Sequence, residues 1–235
     1  MVDAHEGPGR VAESLPVHLF PDTAGLSRRE RTHHLLMQAG VSLLAEERTE
    51  VSVLEITRTA GVGQGTFYNH FDSKSVFFQQ SLEYAVQIVA DLADEVVSPE
   101  RGPVEHCNLG FRVIGRIHRQ VPTLSLAWIR RGSDFYTYGD RLVNRVRDDL
   151  RRGIDAGEFR IRDAEGAVAT VLGAMVMLGQ RIHNNPEQSD AEMIDAVSGD
   201  LLQMLGVPEE RIAELLAMPV PELTLRPPDL TESSV

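Results

Sequence analysis

Between Gly63 and Lys74 the chain reads Gly-Gln-Gly-Thr-Phe-Tyr-Asn-His-Phe-Asp-Ser-Lys, a run dense in side chains that hydrogen-bond to nucleic acid. Gln pairs bidentately with adenine in the major groove, and Thr offers a base edge its hydroxyl or its methyl. Gly lets the backbone come close. Gln64, Gly65 and Thr66, at the leading end of a short helix, are therefore the candidate base readers. Tyr68, Asn69 and His70 fall toward sugar and phosphate. Lys74, beside the free N–H groups of the next helix start, is a candidate phosphate clamp, and Thr49 and Ser52 lie where the preceding helix would cross the DNA backbone. Phe67 and Phe71, four apart, are read as core. The chain has no Gly-rich phosphate loop after a strand and no nucleophile elbow. His106, Cys107 and His118 match no standard metal spacing. No enzyme, no metal and no cofactor is expected.

The elements around this run can be read from hydrophobic period and caps. Leu35, Leu36, Ala39, Leu43 and Leu44 recur at helical spacing after Ser27, with Arg28, Arg29 and Arg31 in the opening turn. Ser52 and Glu55 have capping-box spacing for a second, short helix buried through Val53, Ile56 and Ala60. Gly61 suits the left-handed residue that ends it, and Gly63 provides no side-chain cap for the segment that follows. Ser73 can cap a long helix whose apolar positions run from Phe77 to Val96. Further helices are expected at about 104–120, 123–132, 137–156, 163–183 and 190–205, with a short one around 209–216. No strand run is evident.

The stretch from Val53 through Ala60-Gly61-Val62 and Phe67-Tyr68-Asn69-His70-Phe71 to Lys74 has the layout of a helix-turn-helix before a long helix. It resembles the DNA-binding signature of the tetracycline-repressor (TetR) family, in which an Ala-Gly-Val turn precedes a recognition helix bearing Tyr, then Phe-x-x-Lys. The resemblance covers about residues 27 to 78. It departs at Thr57, where the family usually has Ala, and at Gly63, where a small capping residue is usual. It implies an all-α fold: an N-terminal three-helix helix-turn-helix domain and a C-terminal helical domain for ligand binding and dimerisation. The expected divisions are a flexible arm at 1–26, a DNA-binding domain at 27–75, a ligand-binding and dimerisation domain at 76–206, and a tail at 207–235. The function it implies is a repressor released from a palindromic operator by a small effector. An activator, or an adaptor controlled by a protein partner, stays open.

Charge and composition agree with that division. The net charge is -12, yet residues 27–75 carry six basic and six acidic side chains and are neutral. The acid lies elsewhere, so this part repels phosphate least. A short reading helix contacts too few bases alone, so a homodimer on double-stranded operator DNA is expected. Val168, Val171, Leu172, Met175, Ile194, Val197 and Leu201 form two apolar stripes that could make a four-helix seam between subunits. The middle helices, by resemblance, enclose the effector, with Phe111, Trp128, Phe135, Tyr136 and Met175 as candidate lining. One cysteine excludes a disulfide framework. No apolar run reaches the ~18 to 20 residues of a membrane helix, so a bacterial cytoplasm and no membrane partner are expected.

Overall fold

The computed structural model describes residues 25–131 and 140–223. The expected arm and the end of the tail fall almost wholly outside them. Among the described residues there are nine α-helices, one 3₁₀ helix and no strand.

Helix α1 (Arg28–Ala45) begins with a complete capping box. Ser27 Oγ accepts from the Glu30 amide at 3.3 Å, and the Glu30 carboxylate accepts from the Ser27 amide at 2.8 Å. It ends without glycine: Glu47 takes φ 59°, and the Arg48 amide reaches the Leu43 carbonyl. Leu36, Met37, Val41, Leu43 and Leu44 face inward, whereas Leu35 is exposed. Helix α2 (Val53–Thr59) has only half of the expected capping box. Ser52 Oγ accepts from the Glu55 amide at 3.2 Å, but the Glu55 carboxylate turns to the Arg48 guanidinium, whose charge makes the stronger bond. Thr57 is buried, and its hydroxyl donates to the Leu54 carbonyl at 3.1 Å.

Gly61, at φ 66°, makes the turn, and residues Gln64–Asn69 form the 3₁₀ helix, here termed the recognition segment. Gly63 offers it no side-chain cap. Ser73 caps α3 (Lys74–Val96), whose 23 residues make a rod of about 35 Å at ~1.5 Å per residue. Proline at the first position starts both α4 (Pro103–Gln120) and α5 (Pro122–Ile129). Then follow α6 (Asp140–Asp155), α7 (Ala164–Asn184), α8 (Asp190–Met204) and α9 (Glu209–Ala217).

Two packing centres organise these rods. Helix α1 lies against α3 and α5, and α4 packs against α5, α6, α7 and α8. The two share α5, so one core runs from the recognition segment to the C-terminal helices. At the α1–α3 crossing Gly40 admits the partner: a Cβ there would stand 2.7 Å from Ser81 Cβ and 2.9 Å from Phe77 Cζ. We expect Gly40→Ala to destabilise the protein by about 1–3 kcal/mol through overpacking. Urea unfolding measures this, and unchanged stability would mean that the crossing is looser than described.

Candidate nucleic-acid interface

The recognition segment is held by its aromatic side and presents its polar side. Phe67 and Phe71 are 0% and 2% exposed. Their rings lie 5.4 Å apart and 5.5 and 5.1 Å from Phe77 of α3, at tilted to edge-on angles. Around these anchors, Gln64, Gly65, Tyr68 and Asn69 face solvent, and Thr66 and His70 are half-buried. Tyr68 is 67% exposed with its ring edge-on to Phe67. It is not a packing residue.

The expected backbone contacts have internal duties as well. Lys74 Nζ donates to the Val51 carbonyl at 3.0 Å, tying the start of α3 to the loop before α2. Two of its three N–H donors remain for a phosphate. Ser52 is exposed and caps α2 through its lone pair, which leaves its proton free to donate. Thr49 is half-buried in the same loop.

Beside the recognition segment, Arg28, Arg29 and Thr32 of α1 form one wall of a groove whose other wall is the Gly61–Gly63 turn, Thr66, Asn69 and His70. His33 stands behind it, its ring 5.7 Å from His70 and stacked on Phe71 at 5.4 Å. Burial, followed by the neighbouring charges of His70, His34 and Arg29, holds His33 below the usual imidazole range. Burial and then Arg29 do the same to His70. Sequence reasoning missed Thr32 and His33; the one signal was that His33 follows Arg29 by one helical turn.

In the C-terminal half a cavity of only about 20 Å³, roughly one water's room, lies between α4, α6 and α7. Phe111 and Met175 are among its walls, with Ile114, Leu142 and Val146. Its polar groups were not foreseen. Arg145 Nη1 bonds Asp94 at 2.9 Å and the Ala90 carbonyl at 3.3 Å, while Nη2 is buried with no partner among the described residues. Asp149 accepts from His106 Nδ1 at 3.0 Å and from Arg152. Burial alone would raise the Asp149 carboxyl, but His106 and Arg152 hold it below its ordinary value. Burial pushes the adjacent Cys107 thiol up to about 12.

Two groups of expected residues lie elsewhere. Trp128 is fully buried and stacks on His118 at 5.3 Å, away from this cavity, next to a chain in which Ser125 bridges His118 and His183 at 2.7 and 2.9 Å. Burial and then the charge of His183 lower His118 to about 3, so it is neutral at any cellular pH. Phe135 and Tyr136 lie outside the described residues. The expected subunit seam needs correction too. Val168, Val171, Leu172, Met175, Ile194 and Leu201 are buried within one chain, and Val197 is half-buried against that core. An apolar stripe at helical period serves the nearest apolar surface, which here is α4. The outer face of α7 and α8 is left with Ala169, Gly173, Met177 and Met204 exposed.

Among the described residues no His, Cys, Asp and Glu cluster could hold a metal ion, and no helix is long and apolar enough to cross a membrane. Residues 36–80 match the family model of bacterial regulatory proteins, tetR family, and residues 102–217 match the tetracyclin repressor-like C-terminal domain. The fold and the exposed helix-turn-helix define a DNA-binding transcriptional regulator, and the chain belongs to the TetR family. It is 44% identical over 57 residues to an uncharacterized HTH-type transcriptional regulator, YwcC of Bacillus subtilis (strain 168). That match spans 24% of this chain and about a quarter, 26%, of the relative. Its fold resembles RolR in complex with resorcinol, with a TM-score of 0.66 and 26% identity over 84% of this chain and 98% of that one. It also resembles FadR from Bacillus subtilis in complex with stearoyl-CoA, with a TM-score of 0.59 and 19% identity over 73% and 96% of the two chains. The second likeness is one of fold alone.

Proposed function

We propose that the protein is a homodimeric, cytoplasmic repressor that leaves a palindromic operator when a small molecule enters its C-terminal helical domain. The observation that carries the reading is the two-sided recognition segment: buried phenylalanines at 67 and 71 and an exposed polar row at Gln64, Gly65, Tyr68 and Asn69. In this reading residues 27–75 read the DNA and residues 76–206 receive the ligand and the second subunit. Gln64, Gly65 and Thr66 meet base edges. Tyr68, Asn69, His70, Lys74, Ser52 and Thr49 set register on the backbone.

Two chains would meet through the outer face of α7 and α8. Gly173 has no neighbour within 4 Å of a Cβ position, and Met177 is 61% exposed, so a second helix can approach closely and cover the methionine.

The closed cavity supports the coupling. A ligand larger than one water requires α4, α6 and α7 to move apart, so it must favour an opened state over the closed one. Arg145 and Asp149 among apolar walls, the latter held by His106, suit a small planar hydroxylated aromatic, in keeping with the resorcinol bound by RolR. The unpartnered Arg145 Nη2 would then have an oxygen to bond.

Three measurements test this reading. Selection from a genomic fragment library should recover a palindrome, and Tyr68→Ala and Gln64→Ala should each weaken binding by about 1–3 kcal/mol at an unchanged melting temperature. No enrichment, or variants that bind like wild type, would reject the recognition assignment. Resorcinol at ~100-fold its Kd should raise Tm by about 5–10 °C, and Arg145→Met should abolish the rise. No shift would exclude this ligand class. Light scattering should give twice the single-chain mass, with Met177→Arg shifting the protein to monomer. A dimer indifferent to that change would place the seam elsewhere.

A further inference from the structure

The groove between α1 and the recognition segment is lined by one histidine, His70, and backed by a second, His33. His70 lines it together with Arg28, Arg29, Thr32, Thr66 and Asn69. His33, one turn after Arg29, lies against His70 at a ring separation of 5.7 Å, and both rings border Phe71. Among the described residues neither imidazole is hydrogen-bonded to a carboxylate, and the nearby acids are otherwise placed. Glu30 is turned to the Ser27 amide, Glu55 to Arg48, and Asp72 is exposed past the end of the recognition segment. The other groups about the pair are cationic or neutral. Arg28 and Arg29 stand on α1, and Arg58 is exposed in the last turn of α2. His34 bonds the Tyr84 hydroxyl of α3 at 3.0 Å, and Lys74 is tied to Val51. The site therefore has donors and cations in plenty and lacks an anion.

We propose that His70, backed by His33, is a proton-linked contact to the DNA backbone: a phosphate entering the groove draws a proton onto the imidazole pair, so affinity for duplex rises as pH falls through neutrality. This rests on the DNA-binding reading and deepens it. In the free protein burial and the adjacent cations disfavour a charge on either ring. A phosphate a few ångströms away reverses that balance, since an opposite charge favours the protonated form. The sign follows from linkage. The bound complex holds the proton more tightly than the free protein, so the extra affinity is complete below the free-state pKa and is lost as pH rises through the bound-state pKa. The window runs from the free-state value, which lies below the ordinary ~6.5, up to the bound-state value, and one linked proton changes affinity by at most about tenfold per pH unit.

The test uses the full chain and a fixed duplex of about 30 base pairs at low, constant ionic strength, where binding rests on phosphate contacts. Fluorescence anisotropy at about pH 6, 7 and 8 should show wild-type affinity falling roughly three- to tenfold across the range. His70→Asn should cut the slope, and the double variant His33→Asn, His70→Asn should flatten it, whatever its affinity near pH 8. A flat wild-type profile, or a slope that survives the double variant, overturns the inference. Should the double variant melt lower than wild type, the half-exposed His70→Asn alone decides the matter by the same criterion. A protein that binds the duplex at no pH would instead reject the DNA-binding reading itself.

Discussion

The aromatic cluster of Phe67, Phe71 and Phe77 is the contact on which the DNA-reading surface depends. A six-residue 3₁₀ segment cannot hold its own shape, because it closes few hydrogen bonds and Gly63 leaves its first turn without a side-chain cap. Burying Phe67 of the segment and Phe71 just past its end against a third phenylalanine on α3 supplies the missing rigidity. It also sets which side chains are left outside. With positions 67 and 71 pinned inward, Gln64, Tyr68 and Asn69 have only solvent to face.

The same cluster connects the reading surface to the rest of the molecule, since Phe77 belongs to the first turns of a rod that runs to Val96. At its far end that rod meets α6 through Asp91, Asp94 and the Ala90 carbonyl, held by Arg141 and Arg145. A second link runs through α5. Arg130, just past its end, donates to the Ala45 carbonyl that closes α1 and faces Glu47 at 3.7 Å. The C-terminal helices are therefore joined to the helix-turn-helix along two sets of contacts.

Buried charge is concentrated where those helices meet. Arg112 of α4 satisfies Asp195, the α9 carbonyls of Leu215 and Leu216, and the Met218 carbonyl just past the helix end, and so ties the final helix to the core. Arg145 and the His106–Asp149 pair sit instead beside a cavity, with one guanidinium nitrogen unused. Desolvated groups of this kind are costly to leave without partners. In the Arg112 network the cost is met within the protein, and at Arg145 it is met only in part.

Local signals were enough to read much of this architecture. Ser52, Gly61 and Ser73 mark helix ends through interactions that span a few residues, and the period of apolar side chains marks the rods between them, so helix order and the helix-turn-helix were legible from the chain. So was the burial of Phe67 and Phe71, because four-residue spacing puts them on one face. Partner choice was not. A period states that a helix has an apolar face but not what covers it, which is why Val168, Val171, Leu172 and Ile194 suggested a subunit seam and instead fill one chain's core. Glu55 has the spacing to complete a capping box, yet Arg48, seven residues back, takes its carboxylate. His33 and His70, and likewise Arg145 and Asp149 with His106, come together only through helix packing between residues far apart in sequence. What the sequence determined by itself was local, caps, turns and periodicity; the tertiary structure alone decided which faces meet, because burial and charge compensation depend on neighbours that only the packed fold supplies.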